Sequence, residues 1–196
     1  MSKKSPQLYL ASNSPRRREL LNQLDITFEV IPVSIDETTH ANEQPQDYVC
    51  RMALEKARVG SDLIQLSHDI PIIGSDTSVV LEGAVYGKPR DKQHAFEMLR
   101  SLSGQTHEVM SAVALVCRDQ ERVALNTSLV TLKDLTDEEI ESYWKTGEPA
   151  DKAGGYGIQG KAARFISHLS GSFSAVMGLP LYETAELLEE FSVRIR

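Results

Sequence analysis

One stretch near the start of the chain constrains the fold most, because it joins a buried strand to a helix through a short polar turn. It spans residues 8–21 and reads LYLASNSPRRRELL. The apolar run Leu8–Ala11 is typical of a buried strand, and the leucines after the arginines give the helix an apolar stripe. Ser14 suits the N-cap and Pro15 the first helical position, where a backbone N–H is not needed. The stretch therefore predicts a strand, a turn and a helix.

The same turn concentrates positive charge at the start of that helix. Arg16, Arg17 and Arg18 all fall in its first turn. Positive side chains are disfavoured at the positive end of a helix dipole unless an anion arrives. Free backbone N–H groups, with the hydroxyls of Ser12 and Ser14, are suited to bind such an anion. We therefore predict a site for a polyanion, and a solvated basic patch at the helix start is the alternative.

The overall charge indicates that this anion is small. The chain has 196 residues, a net charge of −7 and a pI of about 5.3, whereas proteins that bind nucleic acid usually carry a basic surface.

With 41% hydrophobic and 25% charged residues, the composition predicts one soluble domain over residues 1–196. Neither a secretory signal nor a membrane-spanning run is recognisable. We therefore expect a cytoplasmic protein with no nucleic acid and no membrane among its partners.

The remaining segments alternate between strand and helix signals. The signals for strands lie at Phe28–Ile31, Ile70–Ser75, Ser78–Leu81, Ala84–Tyr86, Val109–Cys117, Val123–Leu132 and Arg164–Leu169, and helices are expected to open at Pro45, Asp91, Thr136 and Pro180. The helix from Pro45 is expected to end near Val59. Short turns predict antiparallel pairs late in the chain, while the opening strands are separated by helices. This combination predicts an α/β or α+β fold with a mixed sheet.

Two charged residues stand where the pattern predicts burial. Asp76 follows an apolar strand and is expected at its end, where a carboxylate at the rim of the core has to be paired or coordinated; a cap of the local turn is the alternative. Lys56 comes seven residues after Val49 and shares the inward face of its helix. Its amine either reaches the surface or points into a cleft to meet an anion, and the spacing favours neither.

Cations and carboxylates at the ends of elements together predict a site for a metal-bound triphosphate. The cations are Arg16, Lys56 and Lys88, and the carboxylates are Glu37 and Asp76. Carboxylates hold Mg²⁺ or Mn²⁺, whereas lysine and arginine neutralise phosphate oxygens.

No GxxxxGK[ST] sequence is present, which argues against a P-loop NTPase. The histidines show no ligand spacing and are expected to be solvated or packed in the core: His40, His68, His94, His107 and His168.

A glycine-rich segment, Asp151–Gly160, cannot form a regular helix or strand. It has four glycines within seven residues, and glycine permits a positive φ or a close approach of the backbone to a ligand. Tyr156, Ile158 and Gln159 stand between the glycines and favour a defined loop over a mobile surface loop. We therefore expect this loop to contribute to the binding site.

Taken together, these blocks resemble the Maf family of nucleotide pyrophosphatases over nearly the whole chain. The matching blocks are LYLASNSPRRRELL, IDE at 35–37, EKA at 55–57, GSDT at 74–77, GKPRD at 87–91, LSGQTHEVMSAVAL from 102, DKAGGYGIQG at 151–160 and VMGLPL at 176–181. The resemblance implies a fold similar to the inosine-triphosphate pyrophosphatases, an elongated mixed sheet with two lobes around a deep cleft. It also implies hydrolysis of a nucleoside triphosphate to monophosphate and pyrophosphate with a divalent metal, and a homodimer.

The resemblance also assigns roles to residues. Asp76 matches the family's proton acceptor, and we expect Lys88 and Glu37 to join it in catalysis, with Glu37 and Asp76 as metal ligands. The other matched positions are substrate-binding: Ser12, Arg17, Lys56 and Gln159.

Three of the matched positions distinguish branches of the family. Arg16, Thr77 and Gln159 resemble the branch that acts on dTTP, UTP and modified pyrimidine triphosphates. The 7-methyl-GTP branch has an aromatic residue, glutamine and glutamate there instead. The amide of Gln159 offers the donor and the acceptor that the O4 and N3–H edge of uracil or thymine requires.

Two alternatives to this function stay open from the sequence. One is a nucleotide-binding regulator of septation with little turnover, which the family's link to septum inhibition suggests. The other is a pyrophosphatase of the 7-methyl-GTP type. Whether Arg16 contacts the base or the phosphates is also undecided from the sequence.

Overall fold

A computed structural model describes residues 5–64 and 69–195, and one mixed sheet of seven strands forms its centre. His68 and the two chain ends lie outside this description. The strands are β1 (Leu8–Ala11), β2 (Phe28–Ile31), β3 (Ile72–Leu81), β4 (Ala84–Tyr86), β5 (Thr106–Cys117), β6 (Gln120–Leu132) and β7 (Ile166–Ser170). Their order is β2-β1-β3-β5-β6-β7, and β4 pairs with β3. The pairs of β1 with β2 and β3 are parallel and the others are antiparallel, so the mixed α/β sheet is confirmed.

Helices cover both faces of this sheet. They are α1 (Pro15–Asn22), α2 (Pro45–Leu63), α3 (Lys92–Leu102), α4 (Asp137–Trp144), α5 (Phe173–Met177) and α6 (Leu181–Glu190). Their starts follow local chemistry: Asp91 caps α3 by accepting from the His94 N–H, and Thr136 forms a capping box with Glu139 at α4. Within the described ranges, every helix is too short or too polar to cross a bilayer.

The strands alternate their side chains between two apolar layers. Leu8 and Leu10 of β1 pack with α1 and α6 on one face. Tyr9 and Ala11 face the opposite layer, which α2 covers. A third apolar cluster lies farther along β3, β5 and β6, where α3 and α4 pack. The core is therefore extended along the long strands, and the cleft described below lies beside them.

A gap in one edge of β3 positions the site. The parallel pairing with β1 ends at Gly74, and the pairing with β4 begins at Val79. Between these points β3 has a described strand partner, β5, on its other side alone. Because side chains alternate along a strand, Asp76 and Thr77 project from opposite faces at this gap. The unpaired edge thus presents groups from both faces to one opening.

The structure corrects several predicted boundaries. Asp76 lies in the middle of β3 and not at the end of a strand, because β5 continues the ladder from Ser75 to Ser78. The three strands predicted between residues 70 and 86 are therefore two. Helix α2 continues to Leu63, the turn between β5 and β6 shrinks to two residues, and β7 begins at Ile166. Helix α5 is additional, since five residues give too little periodicity to predict it.

Candidate active site

A cavity of about 350 Å³ opens at the gap in β3. Its walls come from the turn after β1, the start of α1, the loop after β2, helix α2, strand β3, the segment after β4 and the glycine-rich segment. All nine predicted site residues line it, although they come from distant parts of the chain: Ser12, Arg16, Arg17, Glu37, Lys56, Asp76, Thr77, Lys88 and Gln159.

Lys56 joins the two carboxylates of the cavity. Its Nζ lies 2.7 Å from Asp76 Oδ1 and 2.8 Å from Glu37 Oε1. The Lys56 and Asp76 side chains are only 12% and 13% exposed, whereas that of Glu37 is 52% exposed. Of the two alternatives for Lys56, the structure therefore shows the one in which the amine points into the cleft. Because Asp76 is paired with this amine inside a strand, its alternative role as a turn cap is wrong.

The charge of Glu37 is set by its surroundings. Desolvation raises the pKa of this carboxyl, but the hydrogen bond from Lys56 and the positive charges of Lys88 and Arg17 outweigh it and hold the pKa below its ordinary value. Glu37 is therefore ionised at neutral pH. An ionised carboxylate that is half exposed at the mouth of a basic cleft is available to a cation as well as to Lys56.

Arg17 and Thr77 form a second group on the other side of β3. The Arg17 Nε–H donates to the Gly178 carbonyl at 2.8 Å, and its Nη2 lies 3.5 Å from Thr77 Oγ1. The Thr77 hydroxyl also shares a 2.9 Å hydrogen bond with Ser111. Burial lowers the pKa of Arg17, against the charge of Asp76. The Gly178 carbonyl and the Thr77 hydroxyl thus hold the guanidinium of Arg17 in place. Arg18, in contrast, is exposed and does not line the cavity.

The turn before α1 has the geometry that the sequence predicts. Ser14 stands at the N-cap and Pro15 follows it, but the Ser14 hydroxyl caps no N–H group, and the first turn has no acidic residue. The Ser14 N–H donates instead to the buried Ser12 hydroxyl at 3.1 Å. The positive end of α1 therefore faces the cavity without a carboxylate of its own first turn.

An ion pair connects the two walls of the cavity. Arg16 Nη1 lies 3.3 Å from Asp151 Oδ2, and Lys152 Nζ lies 2.6 Å from the other oxygen of the same carboxylate. The Lys152 amine also donates to the Glu148 carbonyl at 3.2 Å. Neither Asp151 nor Lys152 was predicted individually as a site residue, although both open the glycine-rich segment Asp151–Gly160.

The glycine-rich segment is a defined loop of 3-10 turns. Gly154 and Gly155 have φ of 66° and 73°, which side-chain-bearing residues seldom adopt. Tyr156 is buried, and its hydroxyl lies 2.6 Å from His107 Nε2. The alternative of a mobile surface loop is therefore wrong. Gln159 and Lys88 are exposed side chains that face the cavity, and the described residues offer Lys88 no ion-pair partner.

The donor set suits a divalent cation that is held together with a substrate. In the described ranges, no three metal-ligating side chains come together. Glu37 and Asp76 nevertheless share one amine, so their carboxylates approach the same point. Mg²⁺ is commonly held by one or two carboxylates, with substrate phosphates and water completing its ligands. The two carboxylates fit that pattern, and the cations around them fit the phosphates.

Comparisons with known proteins agree in covering almost the whole chain. A family model described as Maf-like protein matches residues 7–191. The dTTP/UTP pyrophosphatase of Alkalilimnicola ehrlichii is 52% identical over 191 residues, which is 96% of this chain and 94% of that protein. The dTTP/UTP pyrophosphatase of Escherichia coli K12 is 52% identical over 185 residues, 94% and 93% of the two chains. Among solved structures, the Staphylococcus aureus Ham1 protein aligns over 93% of this chain and 98% of that one, at 15% identity and a TM-score of 0.49.

Proposed function

The chain belongs to the Maf family, and from this premise we propose that it is a nucleoside triphosphate pyrophosphatase that hydrolyses dTTP and UTP. Relatives of that name are 52% identical over most of both chains. The observation that carries the proposal is the shared contact of Lys56 with Asp76 and Glu37 inside a cavity that Arg17 and Lys88 also line. Two carboxylates among cations are what a metal-bound triphosphate requires.

We propose that the phosphates bind between the start of α1 and the segment after β4. The backbone N–H groups of the first helical turn and the guanidinium of Arg17 offer donors from one side. Lys88, which is exposed and faces the cavity, supplies charge from the other. Lys56 lies at the floor between them. This arrangement neutralises the polyanion and aligns its α-phosphorus with Asp76.

Asp76 acts in this proposal as the proton acceptor. The oxygen of a water molecule attacks the α-phosphorus, the bond from that phosphorus to the bridging oxygen of the β-phosphate breaks, and pyrophosphate leaves. Asp76 takes the proton of the attacking water, while Lys56 fixes the orientation of the carboxylate. Arg17 stabilises the charge that develops on the phosphoryl oxygens, whereas Lys88 mainly neutralises the charge that the bound triphosphate already carries.

Glu37 and Asp76 would hold the divalent cation. A bound Mg²⁺ or Mn²⁺ supplies Lewis acidity towards the phosphate oxygens and lowers the cost of bringing them beside two carboxylates. Glu37 contributes a carboxylate that is ionised at neutral pH, because its pKa is held below the ordinary value.

A cytoplasmic location and a homodimer remain predictions.

Gln159, Thr77 and Arg16 are proposed to select the base. Gln159 offers an acceptor for N3–H and a donor for O4 of uracil or thymine. Cytosine presents the reversed pattern at this edge, so Gln159 rejects it when its amide is held in the orientation that pairs with uracil.

The direct test is product analysis with a panel of triphosphates. The purified chain is incubated with dTTP, UTP, CTP, GTP and 7-methyl-GTP in Mg²⁺ or Mn²⁺, and pyrophosphate and orthophosphate are measured separately. We expect pyrophosphate with dTTP and UTP preferred. Release of orthophosphate would contradict cleavage between the α and β phosphates. A preference for GTP or 7-methyl-GTP would contradict the assignment to the pyrimidine branch.

A further inference from the structure

The carboxylate of Glu148 fastens the end of the glycine-rich loop that carries Gln159 by accepting hydrogen bonds. Glu148 is not among the residues that we propose to contact the substrate. Glu148 Oε2 accepts the Lys161 N–H at 2.8 Å, and Oε1 accepts the Ala162 N–H at 3.4 Å. Oε1 also accepts the Tyr143 hydroxyl at 2.8 Å. Three donors from α4 and from the residues after the loop therefore converge on a single side chain.

The Tyr143 hydroxyl links Glu148 to the backbone on the N-terminal side of Gln159. Its oxygen accepts the Gly157 N–H at 3.2 Å while its proton goes to Glu148. The ring is fully buried and packs edge-on against Phe165, so it cannot follow the loop if the loop shifts. Burial and the neighbouring carboxylate raise the pKa of Tyr143, which keeps the phenol protonated as a donor.

Gly160 shows how closely the carboxylate approaches the loop. A β-carbon at this position would overlap both carboxylate oxygens of Glu148. The φ of Gly160 is −104°, which any residue can adopt, so the close approach explains the glycine where backbone conformation does not. Desolvation raises the pKa of Glu148. The hydrogen bonds that it accepts from the Lys161 and Ala162 N–H groups and the Tyr143 hydroxyl, together with the positive charge of Lys152, outweigh desolvation and hold the pKa below its ordinary value. The fastening group is thus an ionised carboxylate.

Gln159 stands between the fastened points. Gly157 lies two residues before it, and Gly160 and Lys161 follow it directly. The side chain of Gln159 faces the cavity and is exposed. Its position therefore depends on the backbone that Glu148 and Tyr143 hold.

We propose that Glu148 and Tyr143 are positioning residues for base selection, and that they act through Gln159 without touching the substrate. This inference rests on the proposed function, because it concerns the base that the same cavity accepts. Displacement of a hydrogen-bonding group by a fraction of an ångström weakens pairing with one base edge more than it weakens binding of the phosphates. The pair should therefore control the preference for UTP over CTP.

The test measures kcat and KM for UTP and CTP in four variants and one control. Glu148→Gln keeps the shape but replaces one of the two accepting oxygens by an NH2 group, which cannot accept a hydrogen bond, and Tyr143→Phe removes the shared hydroxyl. We expect each to lower the ratio of kcat/KM for UTP to that for CTP by about tenfold, through KM for UTP. Gln159→Ala should lower the same ratio, and Glu148→Gln combined with Gln159→Ala should lower it no further than Gln159→Ala alone. Glu138→Gln, an exposed change in the first turn of α4, is the charge-matched control.

The double variant separates positioning from general damage. An unchanged ratio in Tyr143→Phe would overturn the inference, and so would a double variant whose loss equals the product of the two single losses. An equal fall of kcat for both nucleotides would also overturn it, because that pattern describes a damaged active site. If the unmodified chain releases no pyrophosphate from UTP, the proposed function fails first, which distinguishes the two failures.

Discussion

Lys56 Nζ lies 2.7 Å from Asp76 Oδ1, although the lysine comes from helix α2 and the aspartate from the middle of strand β3. Both side chains are largely buried, and the amine also contacts Glu37. A buried ion pair is weak grounds for stability, because desolvation offsets much of the attraction, whereas removal of one partner leaves an uncompensated charge. We therefore interpret the contact through the chemistry of the cavity and expect its loss to be seen in turnover.

Replacement of Asp76 should reduce turnover far more than binding. Asp76→Asn keeps the shape and removes the proposed proton acceptor, so we expect kcat to fall by about 10²–10⁴-fold with a small change in KM. Steady-state pyrophosphate release from UTP measures both constants. Asp119→Asn, in the exposed turn between β5 and β6, is the matched control. A kcat equal to that of the control would exclude Asp76 as the proton acceptor.

Lys88 should act mainly on affinity for the triphosphate. Its side chain faces the cavity, and Lys88→Ala removes the charge-assisted contact that we propose it makes with phosphate. We expect KM for UTP to rise about tenfold with kcat less affected. The effect should shrink at high salt, because screening weakens the wild-type contact. Lys145→Ala at the exposed end of α4 controls for a general loss of charge. A KM that does not move would show that Lys88 does not contact phosphate.

Arg16 should affect the choice of base. It reaches across the cavity to Asp151, on the segment that leads to Gln159. We expect Arg16→Met to lower the preference for UTP over CTP, on the order of tenfold in the ratio of kcat/KM. The neighbouring Arg18→Met is a matched control, because Arg18 is exposed outside the cavity lining. An equal rise in KM for both nucleotides would instead assign Arg16 to the phosphates.

Local sequence patterns predicted the start of the chain well. The residues after β1 have the N-cap and proline signals that end a strand and open a helix, and α1 begins at Pro15. The inward face of α2 was also predictable, because Val49, Ala53 and Ala57 follow helical spacing and are buried. The same spacing put Lys56 on that face but could not say whether its amine reached solvent or a partner.

Long-range pairing explains what the sequence left undetermined. The residues around Asp76 look like a turn, since Gly, Ser and Asp are poor strand formers, yet the ladder with β5 holds them extended. The gap between β1 and β4 depends on where two other strands stop. Glu148 follows a short helix and carries no local signal, because its partners Lys161 and Ala162 lie more than a turn away in the chain.

Buried His107 should make the protein sensitive to acid. It is 2% exposed, and its Nδ1 has no hydrogen-bond partner in the described part of the chain. Desolvation lowers its pKa from 6.5 to about 4. The folded protein holds the imidazole in its neutral form. Protonation in the unfolded chain therefore destabilises the fold: the unfolding free energy is at its full value above pH 6.5 and decreases as the pH falls towards 4.

We expect His107 to account for about 2 kcal/mol of the fall in unfolding free energy between pH 7 and pH 5. Urea denaturation at the two pH values measures this fall. It should be smaller by that amount in His107→Phe, whatever the variant does to stability at pH 7. His168→Phe, on the exposed side of β7, should keep the wild-type difference. The same fall in all three proteins would contradict the role of His107.

The approach of α2 to β3 at Gly74 should prove essential to both stability and turnover. A β-carbon at Gly74 would overlap the backbone oxygen of Ala53 and the backbone nitrogen of Ala57. Because backbone cannot rotate away as a side chain can, we expect Gly74→Ala to lower the unfolding free energy by about 1–3 kcal/mol. It should also lower kcat, since α2 carries Lys56. Gly87→Ala meets no atom within 4 Å and should leave stability within about 1 kcal/mol of wild type. Urea denaturation compares the two, and equal midpoints would show that the helix can move off the strand without cost.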